Sequence, residues 1–155
     1  MCFIRRHANG LIRSTYEDSV IIASQRSISV VLNAVHEATI MGEESRLRRM
    51  LLNLVDNAVK YNRDHGTIGI GLTTNNGKAR IVISDSGIGI PEDDVTRIFD
   101  RFYRVDRARS REMGGSGLGL SIVYWIVKIH GGSISVTSKL QQGSEFAVLL
   151  PLAPA

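Results

Sequence analysis

Apolar residues recur along this chain at two spacings, and the switches between them lay out an order of helices and strands. Ile12, Tyr16, Val20 and Ala23 recur every three or four residues, which predicts a helix over residues 10–26. Residues 27–32 alternate and are rich in β-branched side chains, so they read as a strand, with residues 38–41 as its short neighbour. The clearest helical period covers residues 43–61. There Leu47, Met50, Leu51, Leu54, Val55 and Ala58 form one apolar stripe. Asn53, Asn57 and Lys60 gather on its flank, because steps of three and four residues stay on one side of a helix. Such a helix faces a core and still presents a polar edge to a cavity.

Residues 67–74 and 78–85 return to strand patterning, and Asn75-Asn76-Gly77 between them is a strong hairpin signal. Pro91 suits the first turn of a short helix predicted over 91–100. Residues 101–117 keep no period and read as a mobile loop. A second strong helix spans 118–130 and stops at Gly131-Gly132. Residues 133–138 and 145–150 close the chain as a hairpin. This order predicts an α/β two-layer sandwich, a mixed and largely antiparallel sheet with helices on one face.

Composition narrows the picture. A chain of 155 residues, 43% hydrophobic and 22% charged, can form one globular domain without disulfide or metal staples. Its aliphatic runs, such as Val20-Ile21-Ile22-Ala23, fall far short of the roughly 18 residues that suggest a membrane span. The first residues lack the apolar stretch of a signal peptide. A lone cysteine, Cys2, excludes an internal disulfide and fits a reducing compartment. The net charge is +4, and the positive charge gathers at Arg101, Arg104, Arg107, Arg109 and Arg111. Apart from Phe102 and Tyr103, aromatics do not interleave with these arginines, so nucleic acid is not the expected partner.

Three segments carry candidate chemistry: Asn53 to Tyr61, Asp85-Ser86-Gly87-Ile88-Gly89-Ile90, and Gly115-Ser116-Gly117-Leu118-Gly119-Leu120. Asn57 offers a hard oxygen of the kind magnesium accepts, and that ion can complete its shell with phosphate oxygens and water. Asp85, acceptor-only when ionised, suits an exocyclic amino group such as that of adenine. Gly87 and Gly89 allow backbone to pass close to a purine. Gly115, Gly117 and Gly119 precede a helix, whose free N–H groups and positive dipole end favour polyphosphate. No Gly-Lys-Ser/Thr follows, so this is not a Walker A loop, and the glycine spacing is not that of a dinucleotide fingerprint.

In this order the segments closely resemble the N, G1 and G2 boxes of the ATP-binding catalytic domain of sensor histidine kinases, within the GHKL ATPase superfamily. Phe99-Asp100-Arg101-Phe102-Tyr103-Arg104 resembles the family's F box, and His130-Gly131-Gly132 and Gly143-Ser144-Glu145-Phe146 also fit. The likeness covers residues 27–152. It implies the Bergerat fold, with ATP and Mg2+ as cofactors. It implies Asn57 as the metal ligand, Asn53 assisting through water or phosphate, and Lys60 and Arg104 facing phosphate. It also implies nucleotide contacts from Asp85, Gly87, Gly89 and Ile90, and from Gly115, Ser116, Gly117, Leu118, Gly119 and Leu120. Tyr61 is left open between an adenine-covering role and a plain core position. Residues 101–117 would form a lid over the ATP, and the aromatics of the F box would pack it against the body.

Within the superfamily, the gyrase- and MutL-type ATPases and the anti-sigma serine kinases resemble one another in a glutamate base one turn before the metal asparagine. Here that position is Asn53, and an amide cannot take a proton near neutral pH. A neutral imidazole is already a nucleophile and needs positioning more than a base, so Asn53 favours histidine kinase. The four histidines, His7, His36, His65 and His130, lie outside any acceptor motif. The expectation is therefore one catalytic domain over 1–155, with a strand and helix over 1–26 and the histidine-bearing dimerisation domain elsewhere. Its partners would be that dimerisation domain and a response regulator. The fragment is expected to be monomeric and cytoplasmic, the parent a homodimer with inner-membrane attachment left open. Three alternatives stay open: a nucleotide-binding regulatory module without transfer, a GHKL-type ATPase, and a protein-binding domain whose arginine loop docks an acidic partner.

Overall fold

Local sequence decides each element in turn. The structure, a computed structural model, describes residues 2–101, 103 and 119–155. Strand β1 (Ile4–His7) leads directly into helix α1 (Ala8–Ser24), which buries Leu11, Ile12, Thr15, Ser19 and Ala23. Thr15 and Ser19 are tolerated in that stripe because their hydroxyls donate back to the carbonyls of Leu11 and Thr15, at 2.8 and 2.6 Å. α1 ends in a Schellman turn: the N–H of Ile28 reaches the Ala23 carbonyl and that of Ser27 reaches Ser24, both at 3.1 Å. Ser27 takes the left-handed φ of 55° that this turn requires.

β2 (Ser29–Val35), β3 (Thr39–Gly42) and helix α2 (Glu44–Lys60) follow. β4 (Thr67–Asn75) and β5 (Lys78–Asp85) are joined through Asn76 and Gly77, whose φ values of 51° and 75° make the two-residue hairpin turn. Helix α3 (Gly119–Ile129) stops at a second Schellman turn, with Gly131 N–H on Lys128 and Gly132 N–H on Val127, both at 3.0 Å. β6 (Ser133–Lys139) and β7 (Gly143–Pro151) close the chain.

The main sheet runs β2-β4-β5-β7-β6; β2 and β4 are parallel and the other pairs antiparallel. This is the two-layer α/β architecture expected from the sequence. β4 turns Ile68, Ile70 and Leu72 toward the helices, and Ile83, Val148 and Leu150 extend that face. Leu47, Met50, Leu51 and Leu54 of α2 cover it, beside Val123, Ile126 and Val127 of α3. Each large aliphatic side chain so buried contributes roughly 1.5–3 kcal/mol. The opposite face stays polar, with Ser133, Ser135 and Thr137 exposed on β6.

Two expectations are corrected. β3 does not lie beside β2; it pairs antiparallel with β1 in a separate two-stranded sheet, Ile4 opposite Gly42. The linker explains why. His36 N–H bonds to Leu72 O at 2.9 Å, and Ala38 O accepts Ala8 N–H at 2.8 Å, so the chain turns off the sheet edge toward α1. Residues 91–100 hold only a 3-10 turn at Glu92–Asp94, followed by further turns. Their bonds step by three residues (Asp94 to Pro91, Arg97 to Asp94, Asp100 to Arg97), and three consecutive acidic residues give little support to a longer helix.

Candidate functional site

α2 is held by its apolar stripe, and its last turns carry the polar flank of Asn53, Asn57 and Lys60, all half-buried. The loop after β5 lies against the C-terminal end of this helix: Ile88 N–H donates to Tyr61 O at 3.1 Å. At the other side, Asn53 Nδ2 donates to the carbonyl of Gly119, the first residue of α3, at 3.4 Å. Three segments far apart in sequence therefore meet around one end of α2.

Within that meeting point the candidate residues differ in their ties. Among the described residues, the Asn57 side-chain amide has no hydrogen-bond partner, so its oxygen is available to a ligand. Lys60 pairs with Asp56 at 3.0 Å across one helical turn. Exposed pairs of that spacing are worth about 0.3–0.5 kcal/mol, little enough for phosphate to redirect the ammonium. Tyr61 forms the C-cap of α2 and is half-buried. Asp85 ends β5, and its Oδ1 accepts the Gly87 N–H at 2.8 Å. Burial pushes the Asp85 carboxyl up to about 6, against the opposing pull of the Gly87 and Ser144 N–H groups.

The glycines of the first loop serve the protein itself. A Cβ on Gly87 would stand 2.1 Å from Tyr61 O, and one on Gly89 2.3 Å from Lys139 O; Gly89 also has a φ of 74°. Both positions are closed to larger residues by backbone, before any purine is considered. Gly119 is different: among the described residues, a Cβ there would meet nothing within 4 Å. Leu120, next on α3, is half-buried against the core. Arg104, Gly115, Ser116, Gly117 and Leu118, and the predicted lid over 101–117 apart from Arg101 and Tyr103, lie outside the described residues.

Sequence reasoning missed the residues that hold the site in shape. Buried Asn62 donates to Thr67 O at 3.0 Å and accepts from Arg63 N–H and Ser86 Oγ at 2.8 and 3.2 Å, tying the end of α2 to the Asp85 loop. Arg26 donates to the carbonyls of Val59, Lys60 and Asn62 and to Asp64, closing the C-terminus of the same helix. The β6–β7 turn grips the loop from beyond: Ile90 N–H donates to Ser138 Oγ at 2.7 Å and Gln141 N–H to Ile88 O at 2.8 Å. Phe99 packs on Tyr124 of α3 and edge-on to Phe146 of β7, so this aromatic of the Phe99–Arg104 stretch belongs to the body. His130 is buried; its Nδ1–H donates to Ile126 O at 2.7 Å and its Nε2 accepts from Glu43 N–H at 3.2 Å, a structural role.

A metal held here would take few protein ligands. Among the described residues, no group of three or more His, Cys, Asp or Glu is placed to hold one. Asn57 with ligand oxygens fits the sparse coordination that magnesium accepts beside phosphates.

Comparison with known proteins finds relatives of this fold. The family described as "Histidine kinase-, DNA gyrase B-, and HSP90-like ATPase" matches residues 42–154. The sensor histidine kinase RppB of Synechocystis sp. is 47% identical over 111 residues, 72% of this chain and 24% of that protein. The chain thus spans about a quarter of the length of that relative. Among solved structures, a mycobacterial sensor histidine kinase, MprB, superposes with a TM-score of 0.86 at 32% identity, covering 98% of this chain and 100% of that one. Full-length ShkA, solved in complex with AMPPNP, gives a TM-score of 0.84 at 32% identity, covering 99% of this chain and 32% of that one.

Proposed function

The chain belongs to the histidine kinase-, DNA gyrase B- and HSP90-like ATPase family, as the ATP-binding catalytic domain of a sensor histidine kinase, and from that premise we propose that it binds Mg-ATP and passes the γ-phosphoryl group to a histidine on a separate dimerisation domain. The observation that carries this is the convergence of Asn53, Asn57, Asp85 and Gly119 around the end of α2. The AMPPNP complex of ShkA supports an adenine nucleotide as the ligand of this fold.

The residues divide the work. Asp85 accepts from the adenine amino group, which selects adenine over guanine because guanine presents a carbonyl there. Asn57 holds the metal, with Asn53 beside it for phosphate or water. Magnesium, when bound, neutralises charge on the phosphate oxygens. Lys60 leaves Asp56 for phosphate, and Arg104 adds charge-assisted bonds. The N-terminus of α3 offers its free N–H groups to the polyphosphate. Asn53, an amide, cannot take a proton from water, so hydrolysis is slow, and the incoming imidazole supplies its own nucleophilic lone pair. A response regulator then receives the phosphoryl group from the dimerisation domain of the parent chain. Among the described residues, no helix is long and apolar enough to cross a membrane; a cytoplasmic position for the domain accords with ATP as substrate.

The test is calorimetric titration with ATP, with and without magnesium. Binding in the micromolar range, roughly −7 to −8 kcal/mol, is expected. Asn57→Ala should lose most of the magnesium-dependent gain and keep its melting temperature, since a half-buried ligand and no core packing is removed. No binding at millimolar ATP contradicts the reading; equal magnesium dependence in both proteins contradicts the role of Asn57.

A further inference from the structure

We propose that a groove beside the N-terminal end of α2 docks an acidic, amphipathic segment of a protein partner. The groove has a volume of about 610 Å³; Arg6, Arg46 and Arg49 stand around a floor that includes Ile122, Trp125 and Ile126. Trp125 is 47% exposed. These three floor residues share one face of α3, because they stand three and four residues apart. The Arg46 guanidinium lies 4.8 Å from the Trp125 ring centroid. Exposed tryptophan flanked by arginine is the composition that dominates binding energy at protein interfaces.

Charge selects the partner. Among the described residues one carboxylate, Glu43, lines the groove, and it is already paired with Arg46 at 2.9 Å. Glu44 serves Arg6 at 3.5 Å and also Arg48. Arg49 meets no carboxylate among the described residues, and Arg6 Nε is buried without a hydrogen-bond partner. The groove therefore keeps an excess of positive charge over an apolar floor. A bare anion would satisfy the arginines and leave Trp125 and Ile122 in water; an apolar peptide would bury the floor and leave the arginines unpaired. A segment with carboxylates on one side and aliphatic side chains on the other satisfies both. The groove adjoins the proposed nucleotide site without sharing its residues: Arg46 precedes Asn57 by three turns of α2, about 16 Å at 1.5 Å per residue, and Arg49 precedes Asn53 by one turn.

Trp125 is the chain's single tryptophan, so its fluorescence reports on this groove alone. The whole 155-residue chain is titrated with a synthetic helix-forming peptide bearing leucines on one face and glutamates on the other. The same peptide with lysine in place of glutamate and a single-stranded oligonucleotide serve as controls. The expected result is a saturable blue shift with the glutamate peptide, weakened at least tenfold by Arg49→Glu and reduced at high salt. Arg49 is exposed, so this variant should melt with the parent and keep its ATP affinity; Arg49→Gln, with a smaller loss, guards against misfolding. No shift, an equal shift with either control, an Arg49→Glu protein that binds as well as the parent, or joint loss of peptide and ATP binding overturns the proposal.

Discussion

Asp85 shows how much a single side chain decides. Its carboxyl sits at about 6 because burial disfavours the charge, where the ordinary value is 3.8. The sign follows. The nucleotide-free domain gains stability from this group fully below the ordinary value, and loses that contribution as pH rises through about 6. An amino donor from adenine needs the ionised form, so ligand binding moves the other way. ADP affinity, measured by calorimetry, should fall several-fold from pH 7.5 to pH 5. Asp85→Asn, measured in parallel so that titration of the phosphate cancels, should remove that extra dependence. Parallel pH profiles for the two proteins would contradict the assignment.

Ser27 offers a second test at this scale. Both α1 and α3 end in Schellman turns, one through Ser27 at φ 55° and one through Gly131 at φ 73°. A left-handed residue with a Cβ costs about 1–2 kcal/mol, and glycine returns part of that as unfolded-state entropy. Ser27→Gly should stabilise the domain by about 0.5–1 kcal/mol in urea unfolding; a loss of stability would show that the serine is strain-free. Other residues were less legible. Asn57, Asp85 and Gly119 could be picked out as candidates from motif and chemistry. Arg26, Asn62, Ser86 and Ser138 act through hydrogen bonds to backbone or to side chains distant in sequence, and such bonds leave no period or spacing to read. The two loop glycines were legible, but the partner that requires their small size is protein backbone.

At the scale of elements, periodicity was a reliable guide where one face is buried. The stripe of α2, the alternation of β4 and β5, and the Asn-Gly turn between them are local signals, and the structure follows them. Two features escaped. The pairing of β3 with β1 depends on where the linker after β2 is tied down, which no local pattern records. The 3-10 turn at Glu92–Asp94 looked helical because Pro91 opens many helices. The C-terminus of α2 matters most to the site, and Arg26 holds it through three carbonyls. Charged groups at a helix C-terminus contribute about 0.3–1 kcal/mol, and hydrogen bonds to charged groups about 1.5–3 kcal/mol. Arg26→Ala should therefore cost about 1–3 kcal/mol in urea unfolding. It should also weaken ATP binding under conditions where the variant remains folded, with partial rescue by Arg26→Lys. Unchanged ATP affinity in the folded variant would separate the end of α2 from the site.

For the whole molecule, the two-layer architecture and most of the order of strands and helices followed from pattern, and the family followed from three spaced motifs. None of the chain's four histidines lies in an acceptor motif, and His130 is locked in the core. In the function proposed above, ATP binding and phosphoryl acceptance fall on separate domains, and the reaction is bimolecular when the two are supplied separately. Its rate should rise with partner concentration, since no covalent link raises the local concentration.

The most direct measurement incubates the domain and magnesium with ATP labelled at the γ-phosphate, alone and with a matching histidine-bearing dimerisation domain. Little label is expected on this chain, with slow release of phosphate, and label on the partner that is acid-labile and base-stable, as a phosphohistidine is. Tight ATP binding with no label on the partner at high concentration, or rapid hydrolysis without a partner, would contradict the proposed function.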